Sequence, residues 1–208
     1  PDMVDVNFDI EYRMPGQFSG GIGYSEAQKI MLNGSIVHTN FLGTGERVAL
    51  QLNSGKYQKL YSLSHTDPYR TMDGVRRTLS VNYRDITQFT SAASDFSTTS
   101  AGATVDYGYP ISEFQTLSFG ATFQHSELVA SETSTQQAQD WVLNNGNPFV
   151  QGESFYGTIF GTEFDTVELI AGWTYDSRNR ALFANRGTRQ QLFLSFAVPG
   201  SDVEYYQA

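Results

Sequence analysis

The stretch Phe18-Ser19-Gly20-Gly21-Ile22-Gly23-Tyr24-Ser25 decides the fold class. Successive side chains of a strand point to opposite faces, so Phe18, Gly20, Ile22 and Tyr24 share one face. Ser19, Gly21, Gly23 and Ser25 share the other. One face is apolar with aromatic ends, and the other carries only small polar atoms. The same alternation recurs downstream to the end of the sequence, which therefore divides at about Gly16.

Upstream of that point the character differs. In Pro1–Met14, the apolar residues Val4, Val6, Phe8, Ile10 and Tyr12 alternate with Asp5, Asn7, Asp9 and Glu11. That is a half-buried strand with an acidic solvent face, as in a water-soluble domain. Pro15-Gly16 reads as a turn or linker. The sequence begins with Pro1, carries no signal peptide and holds one strand of this first domain, so a piece of a longer precursor is expected.

Downstream, the pattern strand–connection–strand repeats about nine times. Ile30, Leu32, Gly34 and Ile36 oppose Asn33, Ser35 and Thr39; Val48, Leu50 and Leu52 oppose Arg47, Gln51 and Asn53. Tyr57, Tyr61 and Leu63 share an apolar side with Lys59, which is expected to snorkel at headgroup level. Leu79, Val81 and Tyr83 then face away from Thr78, Ser80, Asn82 and Arg84. The series continues with the apolar sets Ala101–Tyr109, Leu117–Phe123, Val167–Tyr175 and Leu192–Val198, and Val203–Ala208 begins a tenth strand. Strands of about ten residues with aromatic ends suit a tilted crossing of ~25 Å of lipid.

Composition agrees. The 208 residues carry 13 basic and 22 acidic side chains, a net charge of −9, with no basic tract, which argues against nucleic-acid binding. No cysteine is present, so disulfides and thiolate zinc sites are excluded. Mean hydropathy is −0.35 and no 18-residue apolar run occurs, which rules out a transmembrane helix but not a barrel, whose apolar residues occupy alternate positions. Aromatic residues at 14 % and 19 glycines favour an all-β fold. The connections alternate in kind: Asn40–Gly45, Thr66–Gly74, Pro110–Phe114 and Arg178–Gly187 are turn-rich, whereas Ile86–Phe96 and the long Leu128–Phe164 lie at the opposite end. A helical turn is expected at Gln136–Leu143, with Trp141 packed. Short turns at one end and long loops at the other fit an outer-membrane barrel; the alternatives are a soluble sandwich or an extended adhesin.

The connections also carry a resemblance. Asn40-Phe41-Leu42-Gly43-Thr44-Gly45, Asp67-Pro68-Tyr69 with Asp73-Gly74, and Gly172-Trp173-Thr174-Tyr175-Asp176-Ser177-Arg178 leading to Gly187-Thr188-Arg189 resemble the Omp85 superfamily. So does Val198-Pro199-Gly200-Ser201-Asp202 with Glu204-Tyr205-Tyr206. Gly43 and Gly45 suit tight turns and Pro68 sets φ in another. Ala184 and Asn179 depart from the proline and aspartate common in the family's turn. The resemblance implies an antiparallel transmembrane β-barrel of sixteen strands, of which the first nine or ten are represented. It implies that residues 1–15 end the last periplasmic POTRA domain and that 16–208 begin the barrel. The upstream POTRA domains, an inward loop with an Arg-Gly-Phe tip and the closing strands are expected outside this sequence.

From the same resemblance come the functional expectations: a core component of outer-membrane protein assembly, folding and inserting barrel proteins through a lateral seam at its first strand. An Omp85-type secretion transporter and a passive pore are the alternatives. The seam would comprise Phe18, Ser19, Gly20, Gly21, Ile22, Gly23, Tyr24 and Ser25. Expected partners are nascent outer-membrane β-barrel proteins, outer-membrane lipids, and, through the POTRA region, assembly lipoproteins and periplasmic chaperones. The expected location is the bacterial outer membrane with a periplasmic N-terminal region.

Other chemistry is weak. Gly20-Gly21-Ile22-Gly23 lacks the following helix that a phosphate-binding loop needs. His38, His65 and His125 show no metal-ligand spacing. Adjacent residues on a strand diverge, so His125-Ser126-Glu127 does not converge as a nucleophile set. Asn33-Gly34-Ser35 matches a glycosylation sequon in mid-strand. Asp106, Glu168, Arg47, Arg84 and Arg189 are expected to line a solvated, charge-paired lumen. No enzyme activity, cofactor or metal is expected.

Overall fold

A computed structural model describes residues 14–26, 29–87, 96–154, 157–180 and 182–207. Residues 1–13, on which the strand reading of Val4–Tyr12 rests, lie outside them. The described chain is one antiparallel sheet of β1 (Gly16–Ser25), β2 (Lys29–His38), β3 (Arg47–Ser54), β4 (Gln58–Asp67), β5 (Arg76–Thr87), β6 (Phe96–Ser112), β7 (Gln115–Ser131), β8 (Asn147–Ser154), β9 (Gly157–Asp176), β10 (Arg189–Ala197) and β11 (Tyr206–Gln207). Neighbours pair in sequence order, except that β7 pairs β9 directly and β8 folds back on β9 alone. The sheet is not closed: β1 and β11 are its ends.

Alternation places side chains as expected, and the ladders turn it into continuous rows. One outward row runs Phe18–Ile36–Leu50–Leu63–Val81–Ala103–Phe123–Val167. The inward row beside it is Ser19–Ser35–Gln51–Ser62–Asn82–Gly102–Gln124–Thr166. A lipid-facing surface has no water to avoid, which is why Phe18, Ile22 and Phe119 are exposed in the isolated chain.

The rows also yield the tilt. The outward apolar stretch is centred near Asn33 on β2 and near Ile170 on β9, yet the row through Asn33 reaches β9 at Phe164. The band slides about one residue per strand, ~3.3 Å against a spacing of ~4.8 Å, a tilt of roughly 35°.

Three expectations change. β6, β7 and β9 run 17, 17 and 20 residues rather than about ten. Leu128–Phe164 is not one long loop: it opens on the end of β7 and closes on the start of β9, with α1 (Gln136–Asn144) and β8 between them. The reason is a reversal of polarity. Beyond His125 and Asp165 the outward face carries Glu127 and Glu163, while the other face becomes Leu128, Ala130, Phe160 and Phe164. The helix expected near Gln136–Leu143 covers that second face: Val142 packs on Ala130 and Phe160, and Trp141 meets Phe164 edge-on at 5.3 Å. Lys59 does not simply snorkel. Its Nζ bonds Asp85 Oδ2 at 3.0 Å across the β4–β5 ladder, above the stacked pair Tyr61–Tyr83.

Candidate functional site

Among the described residues β1 pairs only with β2, in a ladder from Gly16↔His38 to Ser25↔Lys29. One step before it, the Thr39 N–H donates to the Pro15 carbonyl at 2.9 Å, so Pro15 and Thr39 are a hydrogen-bonded pair. Bonded and non-bonded pairs alternate in an antiparallel ladder. Gln17, Ser19, Gly21, Gly23 and Ser25 therefore turn their main-chain groups to β2. The N–H and C=O groups of Gly16, Phe18, Gly20, Ile22 and Tyr24 point to the other edge, where no described strand lies. These are the residues whose side chains face lipid, where open main-chain groups are costly.

Side chains add little to this edge. Gly20 lies opposite Gly34 on the lipid-facing side. A Cβ at Gly20 would lie 3.4 Å from Phe18 Cζ, so the Phe18 ring covers it, whereas Gly21 and Gly34 have nothing within 4 Å. Gly23 has only the Met31 Cε, at 3.3 Å from a built Cβ. On the inner face, the Ser19 and Ser35 hydroxyls bond at 3.0 Å beside a polar recess of about 380 Å³ that Asn33, Gln51 and Asn53 also line. Tyr24 and Ile22 stand out at 68 % and 82 % exposure. Contrast β7 and β9, which pair without interruption from Gln115↔Tyr175 to Ser131↔Ile159. The Gly20–Gly34 pairing and the His38 ring against Gly16 depend on register and were not readable beforehand.

The turn residues stand apart from this edge, along one rim. Gly43, Gly45, Gly74 and Gly187 have φ of +80°, +76°, +77° and +89°, the region glycine supplies without strain. Leu42, at φ +52°, shares that region and carried no sequence signal. Asn40 Oδ1 accepts the Gly45 N–H at 2.7 Å, and Asp67 Oδ1 accepts the Tyr69 N–H at 3.2 Å, past Pro68. The Asp73-Gly74 corner is closed by the Gly74 N–H donating to the Thr71 carbonyl at 3.1 Å. After Tyr175, Arg178 forks onto Asp176, Nε to Oδ1 at 2.9 Å and Nη2 to Oδ2 at 2.7 Å. Arg189 Nε lies 4.0 Å from the same carboxylate. These motifs shape turns; none reaches the β1 edge.

The remaining polar groups pair locally. Arg76 Nη2 donates to Asp106 at 3.1 Å on the lumenal face. His125 Nδ1 lies 2.7 Å from Asp165 Oδ1, its cross-strand neighbour, while Ser126 is buried on the opposite face, accepting from Gln124 Nε2. His65 Nε2 bonds Glu46 at 3.1 Å, and that bond holds the Glu46 carboxyl below its ordinary value. Among the described residues no group of three potential ligands could hold a metal ion.

A family model, the Omp85 superfamily domain, matches residues 40–208. Over 211 aligned positions, covering all of this chain and 26 % of the relative, the sequence is 28 % identical to the outer membrane protein assembly factor BamA of Neisseria meningitidis serogroup B. It is 28 % identical over 127 residues to the protein of the same name from Nitratidesulfovibrio vulgaris, covering 61 % of this chain and 15 % of that one. The crystal structure of BamA from Haemophilus ducreyi lacking POTRA domains 1-3 superposes with a TM-score of 0.69 at 26 % identity, covering 93 % of this chain and 36 % of that one. The chain thus spans about a quarter of the length of the Neisseria relative.

Proposed function

The chain belongs to the Omp85 superfamily of the outer membrane, and from that premise we propose that it is the first part of the barrel of an outer-membrane protein assembly factor. In this reading β1 is one lip of a lateral seam. Client β-barrel proteins add their strands there by β-augmentation, pairing with the main-chain groups of Gly16, Phe18, Gly20, Ile22 and Tyr24. Main-chain pairing is nearly sequence-blind, so one edge serves many clients. Burial of the client's apolar face in lipid supplies the driving force, with no cofactor. Residues 1–15 close the last POTRA domain, through which lipoproteins and periplasmic chaperones act.

The observation that carries this reading is the free lipid-facing edge of β1, thinned by glycine. Glycine within a strand weakens it by about 0.5–1 kcal/mol relative to alanine. Around Gly21 there is open space, and at Gly23 only the mobile end of Met31, so valine fits at both. In the full-length protein reconstituted in liposomes, Gly21→Val with Gly23→Val stiffens the seam and slows insertion of a client barrel. Unchanged insertion overturns the role of the seam. Large stable single-channel currents, with no assembly defect on depletion, would identify a passive pore instead.

A further inference from the structure

On the lipid-facing wall, far from the β1 edge, a groove of about 550 Å³ crosses β4 to β9. Ala103 and Ala121 sit between Leu63, Leu79 and Phe123, because the ladders set small residues of β6 and β7 beside large ones: Leu79↔Val105↔Ala121 and Val81↔Ala103↔Phe123. The rows climb outward from β4 to β9, and the groove climbs with them. Its end nearest the short turns is His65.

Just below it on the same face stands Arg77, two residues before Leu79 and opposite Asp67 on β4 and Tyr107 on β6. Tyr107 and Tyr109 put this level at the aromatic girdle, where headgroups lie. The Arg77 Nε is buried without a partner. Glu46 precedes Arg47, the partner of Thr66, so it continues the row of Asp67 and Arg77, and its Oε2 takes both His65 and Thr44. A guanidinium with one unpartnered donor therefore stands on the row of Asp67, at the mouth of an apolar groove that only lipid can fill in a membrane.

We propose that groove and rim hold one zwitterionic aminophospholipid of the periplasmic leaflet. Its acyl chain lies along Ala103 and Ala121, its phosphate meets Arg77 and Tyr107, and its ammonium group turns toward Glu46. A guanidinium fork matches phosphate oxygens. A purely anionic headgroup would satisfy Arg77 but face the Glu46 carboxylate, so the mixed charge selects the mixed headgroup. This site depends on the membrane location alone and not on the assembly role.

The test uses the full-length protein in nanodiscs of equal phosphatidylethanolamine and phosphatidylglycerol, with retained lipid counted by native mass spectrometry after detergent release. Phosphatidylethanolamine is expected to be retained preferentially. Arg77→Gln, which removes the phosphate contact, and Ala121→Phe, which fills the groove, each lower that retention about tenfold; Lys59→Gln, at the opposite rim, leaves it unchanged. Ala103→Leu replaces Ala121→Phe if the latter fails to fold. Equal retention of the two lipids, or retention that survives both Arg77→Gln and groove filling, overturns the proposal.

Discussion

Gly20 of β1 and Gly34 of β2 lie directly opposite each other on the lipid-facing side, with the Phe18 ring laid over Gly20 and nothing within 4 Å of Gly34. This is a non-hydrogen-bonded pair, so neither main chain nor side chain joins the strands at that point, and the bonded pairs Ser19–Ser35 and Gly21–Asn33 on either side hold them. Gly34→Val adds a cross-strand contact and removes the flexibility of a strand glycine. It should raise the stability of the β1–β2 pair by about 0.5–1 kcal/mol, read as slower exchange of β1 amides.

Alternation at the free edge has a direct signature. The amides of Phe18, Gly20, Ile22 and Tyr24 should exchange with solvent deuterium at least about tenfold faster than those of Ser19, Gly21 and Gly23, whose N–H groups face β2. Residue-resolved exchange in micelles checks this. Uniform protection along β1 would mean that a strand covers the edge.

The turn after β9 tolerates no side chain at Gly187. A Cβ there would collide with the Ser177 carbonyl, and φ is +89°. Gly187→Ala should destabilise the barrel by at least about 2 kcal/mol, seen as a lower urea midpoint. Arg178→Lys keeps the charge beside Asp176 but loses the fork, and should loosen the same turn to a smaller extent.

Glu46 gives a pH dependence. Its carboxyl lies below its ordinary 4.5 first because of the hydrogen bond with His65. A carboxylate with a depressed folded value stabilises fully above its unfolded value and loses that contribution as the pH falls through the lowered one. Stability should therefore drop below pH 4.5 more steeply in the wild type than in Glu46→Gln, measured as unfolding midpoints across an acid series.

The helix over the extended strands should behave as a separate small core. Val142 is fully buried against Ala130 and Phe160. Val142→Ala should cost roughly 2 kcal/mol locally and expose residues 132–146 to protease, while strands β1–β5 keep their exchange protection.

Much of this was legible in the chain itself. The alternation in Phe18–Ser25 and its successors assigned the two faces, because a strand's side-chain period is a local property. Gly43, Gly45, Gly74 and Gly187 marked turns for an equally local reason, the conformation that only glycine adopts freely. The stretch Leu128–Phe164 misled because its polarity reverses rather than disappears: Glu127 and Glu163 face outward where Phe123 and Val167 did before them. Reading that reversal needs a partner strand.

What the sequence by itself determined was therefore strand order, facing and the acidic, cysteine-free, barrel-type composition. Only the tertiary structure decided register. Register depends on main-chain bonds between strands far apart in the chain, and shifting it by one residue exchanges every face. It put Gly20 against Gly34, Lys59 against Asp85 and His125 against Asp165. Through the Pro15–Thr39 bond, it also settled which main-chain groups of β1 point away from β2.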